Sequence, residues 1–238
     1  MSPHVAVSIV VPTYREAESL PELLSRVGQL RAGTLPDIEL IIVDDDSRDG
    51  TEELIAARDL DWVKLIVRKT DRGLSQAVLA GLAAARGAML VVMDADSSHP
   101  PEVIPDMLAA LRAGADFVLG SRYVAGGTTA DDWGLFRFIN SQVATLLARP
   151  LTRVSDPMSG FFALPRAVFA RADSPNPLGY KIGLELLVRC DCRNVREIPI
   201  HFANRSHGQS KLTLQQQLLY VRHVARLYRY RLEKSFLG

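Results

Sequence analysis

Two apolar runs in this chain end in acids. Ile41-Ile42-Val43 leads into Asp44-Asp45-Asp46, and Val91-Val92-Met93 leads into Asp94-Ala95-Asp96. Carboxylates this close repel one another unless water or a cation neutralises them. Two hard oxygen donors at Asp-x-Asp spacing suit Mg2+ or Mn2+ shared with a diphosphate. A single Asp-x-Asp reads as a solvated turn. Two acid clusters, each closing a buried apolar run, point instead to a metal–diphosphate site. The backbone devices for phosphate are missing: there is no G-x-x-x-x-G-K-[ST], and no G-x-G-x-x-G follows the first apolar run. That argues against P-loop NTPases and Rossmann dehydrogenases, and the absence of G-x-S-x-G argues against a hydrolase elbow. Phosphates are then left to metal and to basic side chains.

The elements that position these acids follow from periodicity. Val5–Val11, Ile38–Asp44, Val63–Arg68, Met89–Met93 and Phe117–Gly120 are short and nearly continuously apolar, as strands buried on both faces are. Helical patterns separate them. Thr13 and Glu16 have capping-box spacing ahead of Leu20, Leu23, Leu24 and Val27. Asp49-Gly50-Thr51 opens a short helix, Ser75 to Arg86 stops at Gly87, and Pro101 opens a helix that stops at Gly114. This alternation predicts an α/β fold, a mostly parallel central sheet with helices on both faces. Ligands of such sheets bind at the carboxyl ends of the strands, where both acid clusters lie. Beyond Gly120, Leu135 to Leu147 reads as a helix and Asp156 to Leu164 as a turn plus strand. Val195 to Phe202 reads as a late strand, at an edge because it contains Pro199.

Composition sets outer bounds. The 238 residues are 47% hydrophobic and 23% charged with a net charge of +1, so nothing global calls for nucleic acid. No apolar run reaches the roughly 18 residues of a membrane span, and the N-terminus does not read as a signal peptide. Cys190 and Cys192 form a C-x-C pair without the second half of a zinc site, so they read as thiols in a reducing cytoplasm. The last segment is basic: Arg205, Lys211, Arg222, Arg226, Arg229, Arg231 and Lys234 face one acid, Glu233. Leu214, Leu218, Val221, Ala225, Tyr228 and Leu232 make one apolar stripe, with Arg222, Arg226 and Arg229 on the next. Such a helix either packs on its own domain or lies on an anionic membrane.

The motifs resemble a known family. Val10-Val11-Pro12-Thr13-Tyr14-Arg15-Glu16 and Ile42 to Thr51 resemble the opening of the inverting family 2 glycosyltransferases of GT-A fold. Asp94-Ala95-Asp96-Ser97-Ser98-His99-Pro100-Pro101, Gly120 to Tyr123, Asp156 to Phe161 and Arg205 to Leu212 resemble the dolichol-phosphate (polyprenol-phosphate) mannosyltransferases within it. The match runs over roughly residues 5–212. It implies a GT-A catalytic domain over 1–212 and a basic amphipathic helix over 213–238.

The resemblance also implies roles. Pro12, Tyr14 and Glu16 line the nucleotide pocket, and Val43 and Asp45 contact the base. Asp94, Ala95 and Asp96 bind the sugar nucleotide and metal. Arg122, Arg205 and Lys211 hold phosphates, and Arg122 with Arg137 and Ser141 meets the acceptor phosphate. Asp94, Asp96 and Arg122 are the expected catalytic set. Some relatives place a metal-binding Gln where this chain has Ser98, which offers a weaker hydroxyl oxygen, directly or through water. The implied reaction carries mannose from GDP-mannose to a polyprenyl phosphate, with Mg2+ or Mn2+, on the cytoplasmic face of a membrane. The alternatives are a UDP-sugar donor such as UDP-glucose, and a nucleotidyltransferase releasing pyrophosphate.

Four further readings concern single residues. His99 caps a turn or touches the metal or diphosphate. Glu185 pairs with Lys181 one helical turn away, or orients a sugar hydroxyl or an arginine. Trp133, Phe136 and Phe138 pack locally or meet lipid. His207 lies in a lid-like loop.

Overall fold

The computed structural model describes residues 5–129, 135–203 and 214–237; of 135–139, 214, 215, 236 and 237 only the backbone is described. The strands are β1 (Val7–Thr13), β2 (Ile38–Asp44), β3 (Val63–Val67), β4 (Met89–Val92), β5 (Phe117–Ser121), β6 (Thr128–Thr129), β7 (Phe162–Pro165), β8 (Val195–Pro199) and β9 (His201–Phe202). The helices are α1 (Leu20–Ala32), α2 (Thr51–Arg58), α3 (Leu74–Ala84), α4 (Ile104–Arg112), α5 (Leu135–Ala148), α6 (Arg166–Phe169), α7 (Ile182–Arg189) and α8 (Leu214–Leu237).

Seven strands form one sheet in the order β3-β2-β1-β4-β7-β5-β8. β1 runs parallel to β2 and β4, β2 to β3, and β5 to β8; β7 alone is antiparallel, wedged between β4 and β5. Every residue of β1 and β2 is buried, which is why their sequences are mostly apolar rather than alternating; the buried Ser8 of β1 donates to Glu39 of β2 at 2.6 Å. Alternate side chains feed two cores. Val7, Ile9, Val11, Leu40, Ile42 and Val91 pack beneath α1 and α4. Val10, Ile41, Val43, Leu90 and Val92 pack beneath α3 and α7. Gly81 lets α3 press onto the sheet, since a Cβ there would lie 2.3 Å from Val10 Cγ1.

Three local expectations differ from the fold. The Thr13–Glu16 capping box is not used, because Thr13 stays in β1 opposite Asp44 and α1 starts at Leu20 after Ser19. The late strand divides: β8 closes the sheet at its edge, and β9 pairs with β6 in a separate two-stranded ribbon. Of the stripe read from sequence, α8 buries Tyr228 in part, and its main buried face is another one. Tyr220, Val224 and Leu227 pack with Ala148, Leu151, Met158 and Leu184, while Leu218, Val221, Ala225 and Leu232 are exposed. Among the described residues, no helix is long and apolar enough to cross a membrane.

Candidate active site

The chain passes from β1 to β2 on one side and returns to β4 on the other, so the strand order switches direction at β1. Crevices form at such switch points, beyond the carboxyl ends. Glu16 follows β1 there, Asp45 follows β2 and Asp94 follows β4.

The residues after β4 brace one another. The Asp94 backbone N–H donates to His99 Nδ1 at 3.0 Å. His99 is buried, stacked on Phe161 with ring centroids 5.2 Å apart and edge-on to Phe202 at 5.5 Å. Burial pushes its imidazole pKa down, against the pull of Asp94 and Asp96, so Nδ1 stays an acceptor. His99 therefore caps the Asp-x-Asp turn. Ser98 donates to Asp96 Oδ1 twice, from N at 3.1 Å and from Oγ at 2.5 Å. Asp96 is 2% exposed, whereas the Asp94 side chain is 27% exposed and faces the crevice mouth. Gly160 floors that mouth, because a Cβ on it would sit 3.5 Å from Asp94 Oδ1.

On the opposite wall, Asp45 is held by the loop after β3. Its Oδ1 accepts Arg68 Nη1 at 2.6 Å and its Oδ2 accepts the Gly73 N–H at 2.6 Å. Asp44 is turned inward to Ser47, whose N–H donates to Asp44 Oδ2 at 2.8 Å. Pro12, Val43 and Ala95 are core side chains, so what they offer a ligand is backbone. Tyr14 is exposed beside Arg15.

The third wall carries Arg122 at the end of β5. Its Nε and Nη2 donate to Asp156, each at 2.7 Å, and its backbone N–H donates to the same carboxylate at 3.1 Å. The Tyr123 hydroxyl donates to Ser141 Oγ at 3.0 Å, tying α5 to this wall. The structure thus groups Glu16, Asp45, Asp94, Asp96, Ser98, Arg122 and Ser141 at one end of the sheet. Arg137 lies on α5, but its side chain is outside the described residues. So are Arg205, Lys211, His207 and Trp133, and the side chains of Phe136 and Phe138.

Sequence reasoning missed Arg68, Tyr123 and Asp156 as parts of this site. The Asp156 stretch was visible only as a matching motif, because nothing local announces a partner 34 residues away. The Lys181–Glu185 pair is also corrected. Lys181 precedes the helix at φ −103°, ψ 54°, and its Nζ donates to the Met158 carbonyl. Glu185 takes Arg189 Nε instead, at 2.5 Å, together with the Asn176 N–H at 2.9 Å.

A divalent cation fits this donor set in a limited way. Among the described residues, no three His, Cys, Asp or Glu side chains converge as ligands. Two carboxylates, Asp94 and Asp96, are what Mg2+ ordinarily takes from a protein when phosphates and water complete its shell. Glu16 lies partly buried beside the acids of this site. Burial, then the charges of Asp94 and Asp96, lift its pKa from 4.5 to about 7. A carboxyl raised on folding stabilises the fold below about pH 4.5 and loses that contribution as pH rises through about 7. In metal-free protein, the melting temperature of wild type relative to Glu16→Gln should therefore fall between those limits. Saturating Mn2+ should flatten the slope. Parallel pH profiles for both proteins without metal would remove Glu16 from the acid cluster.

Comparison with known proteins shows the family and the fold. The family model "Glycosyl transferase family 2" matches residues 8–171. A dolichol-phosphate mannosyltransferase of Mycosarcoma maydis is 43% identical over 94% of this chain and 79% of its own length. One of Saccharomyces cerevisiae is 40% identical over 94% of this chain and 87% of its own length. Among solved structures, glucosyl-3-phosphoglycerate synthase of Mycobacterium tuberculosis, in complex with Mn2+, UDP and phosphoglyceric acid, superposes with a TM-score of 0.69. It covers 95% of this chain and 78% of that chain at 21% identity, a likeness of fold.

Proposed function

The chain belongs to glycosyl transferase family 2, among the dolichol-phosphate mannosyltransferases, and from that premise we propose that it moves mannose from GDP-mannose to a polyprenyl monophosphate. The observation that carries this reading is α5. It brings Ser141 to Tyr123 beside Arg122 on its inner side, and exposes Val143, Leu146 and Leu147 on its outer side. One helix thus joins a phosphate-holding corner to an apolar surface, as a lipid phosphate requires.

In the proposed reaction a phosphate oxygen of the acceptor attacks the anomeric carbon of mannose. The carbon–oxygen bond to GDP breaks, and GDP leaves with the electron pair. In-line attack inverts the α-linked donor to a β-linked product through an oxocarbenium-like transition state. A phosphate monoester has its second pKa near ~6, so the acceptor arrives largely deprotonated and needs no strong base. Arg122, with Arg137 and Ser141, fixes its charge. Asp45 receives the guanine N–H edge on lone pairs that Arg68 and Gly73 do not use. Asp94 and Asp96, with Ser98 supporting Asp96, would hold Mg2+ or Mn2+, which when bound supplies positive charge to the departing diphosphate. Arg205 and Lys211 complete the charge around the phosphates.

α8 extends the apolar surface. It lies against α5, where the Tyr220 hydroxyl donates to the Ala144 carbonyl at 2.7 Å. Its own Leu218, Val221 and Leu232 are 56%, 50% and 61% exposed, and Arg222 and Arg229 are exposed beside them. Apolar residues flanked by arginines suit an anionic bilayer surface. We place the enzyme on the cytoplasmic face of a membrane, peripheral or held by a membrane-spanning partner.

The test is transfer of radiolabel from GDP-mannose to a short polyprenyl phosphate with Mg2+ or Mn2+. Labelled lipid phosphate should appear, and GDP should raise the melting temperature more than UDP. Transfer from UDP-glucose but not from GDP-mannose would overturn the donor. Release of pyrophosphate would overturn the reaction class.

A further inference from the structure

We propose that Asp156 is a positioning residue for Arg122, acting on the acceptor phosphate only through that arginine; this rests on Arg122 meeting the acceptor as proposed above. Asp156 is 0% exposed and the Arg122 side chain 9%, so water does not solvate this pair freely. The carboxylate takes the guanidinium side-on, Oδ2 from Nε and Oδ1 from Nη2, both at 2.7 Å. It also takes the Arg122 backbone N–H, so both ends of the same residue are tied to one carboxylate. A bidentate pair of this kind fixes the plane of the guanidinium as well as its position.

The rings around it act in the same direction. Phe202 and Tyr123 lie against the guanidinium, with their centroids 5.2 and 5.3 Å from Cζ. Asp156 is itself anchored. Its backbone N–H donates to Glu197 Oε1 at 3.1 Å, and the Ser155 N–H donates to Glu197 Oε2 at 2.8 Å. Glu197 stands on β8, opposite Leu119 of β5, only three residues before Arg122. A closed loop of contacts therefore runs from β5 to β8, through the 155–156 turn, and back to the end of β5.

Asp156 holds Arg122 through a buried pair that makes three hydrogen bonds, and buried charge-assisted bonds are the strong ones.

The experiment measures steady-state kinetics with each substrate varied in turn, and melting temperatures, for four proteins: Asp156→Asn, Arg122→Ala, the double variant and wild type. Asp156→Asn should lower kcat/KM for polyprenyl phosphate about ten- to hundredfold, the worth of a lost charge-assisted hydrogen bond, and leave KM for GDP-mannose within about twofold. Arg122→Ala should melt early, because it strands a buried carboxylate. Adding Asp156→Asn to it should recover the melting temperature without any further change in kcat/KM. A further loss in the double variant overturns the proposal, since Asp156 then acts by another route. So does an Asp156→Asn protein whose two KM values rise together, which is a structural defect. If Arg122→Ala itself leaves the acceptor KM unchanged, the error lies in the role given to Arg122. Should Asp156→Asn not fold, Glu197→Gln loosens the same turn more gently. It should give a smaller loss with the same acceptor bias, and an unbiased loss counts against the clamp.

Discussion

Asp96→Ala should abolish transfer, to less than about a thousandth of the wild-type rate, in a protein that still folds. A loss of that size corresponds to roughly 4 kcal/mol of transition-state stabilisation, the scale of removing an electrostatic anchor from a closed site. Asp96 is the deep member of the Asp-x-Asp pair, and both Ser98 donors converge on its Oδ1. Alanine removes the donor and leaves the Ser98 hydroxyl without its acceptor. In the proposed site, Asp94 alone at the crevice mouth would not hold an ion and a diphosphate together. Asp96→Asn separates the two effects: it keeps an oxygen for Ser98 but loses the charge, so it should keep the melting temperature and still lose metal-enhanced GDP binding. Near wild-type turnover of Asp96→Ala at saturating Mn2+ would remove this residue from the reaction.

The second large effect concerns the surface. Leu146 is 70% exposed and Leu218 is 56% exposed, on the two helices that lie side by side. Burying one leucine in an apolar phase is worth about 1.5–3 kcal/mol. Leu146→Glu with Leu218→Glu should thus reduce binding to vesicles containing phosphatidylserine by about a hundredfold or more. Turnover of a short, water-soluble polyprenyl phosphate should be unchanged. The arginines contribute unequally. Arg229 is paired to Glu233 at 2.7 Å and Arg226 is half-buried, which leaves Arg222 as the stronger electrostatic contributor. Its part of the binding should fade as salt rises, while the leucine part persists. Equal flotation of wild type and the double variant would mean that this face meets a protein or stays in water.

The sequence revealed the parts of this molecule whose signals are local. β1, β2 and β4 are buried on both faces, so each is a nearly continuous apolar run, and the acids that follow them fall at the carboxyl ends by geometry alone. The turn after β4 was legible as Asp-x-Asp, though His99 as its cap required seeing Phe161 and Phe202 close around the ring. Non-local pairings were not legible. β7 looks like any short strand, and nothing in Phe162–Pro165 says that it enters antiparallel between β4 and β5. α8 carries apolar residues at helical spacing on two faces, Tyr220–Val224–Leu227 and Leu218–Val221–Leu232. Periodicity identifies a helix but does not choose which face packs. Glu185 had a basic residue four positions away on either side, and only the helix start at Ile182 decides for Arg189.

The place of β7 has a consequence for how the protein is made. During synthesis β4 can pair with β1 well before its other edge can be covered, because the strand that covers that edge is encoded some seventy residues later. At ordinary elongation rates of about 5–20 residues per second, the open edge persists for roughly 4 to 15 seconds. Leu90 to Met93 is apolar and uncharged, and the open edge offers unpaired backbone groups to foreign strands. Chaperone demand during synthesis should therefore centre on this interval. A nascent chain stalled before Phe162 should aggregate, and one stalled late enough for Pro165 to have cleared the ribosome should stay soluble.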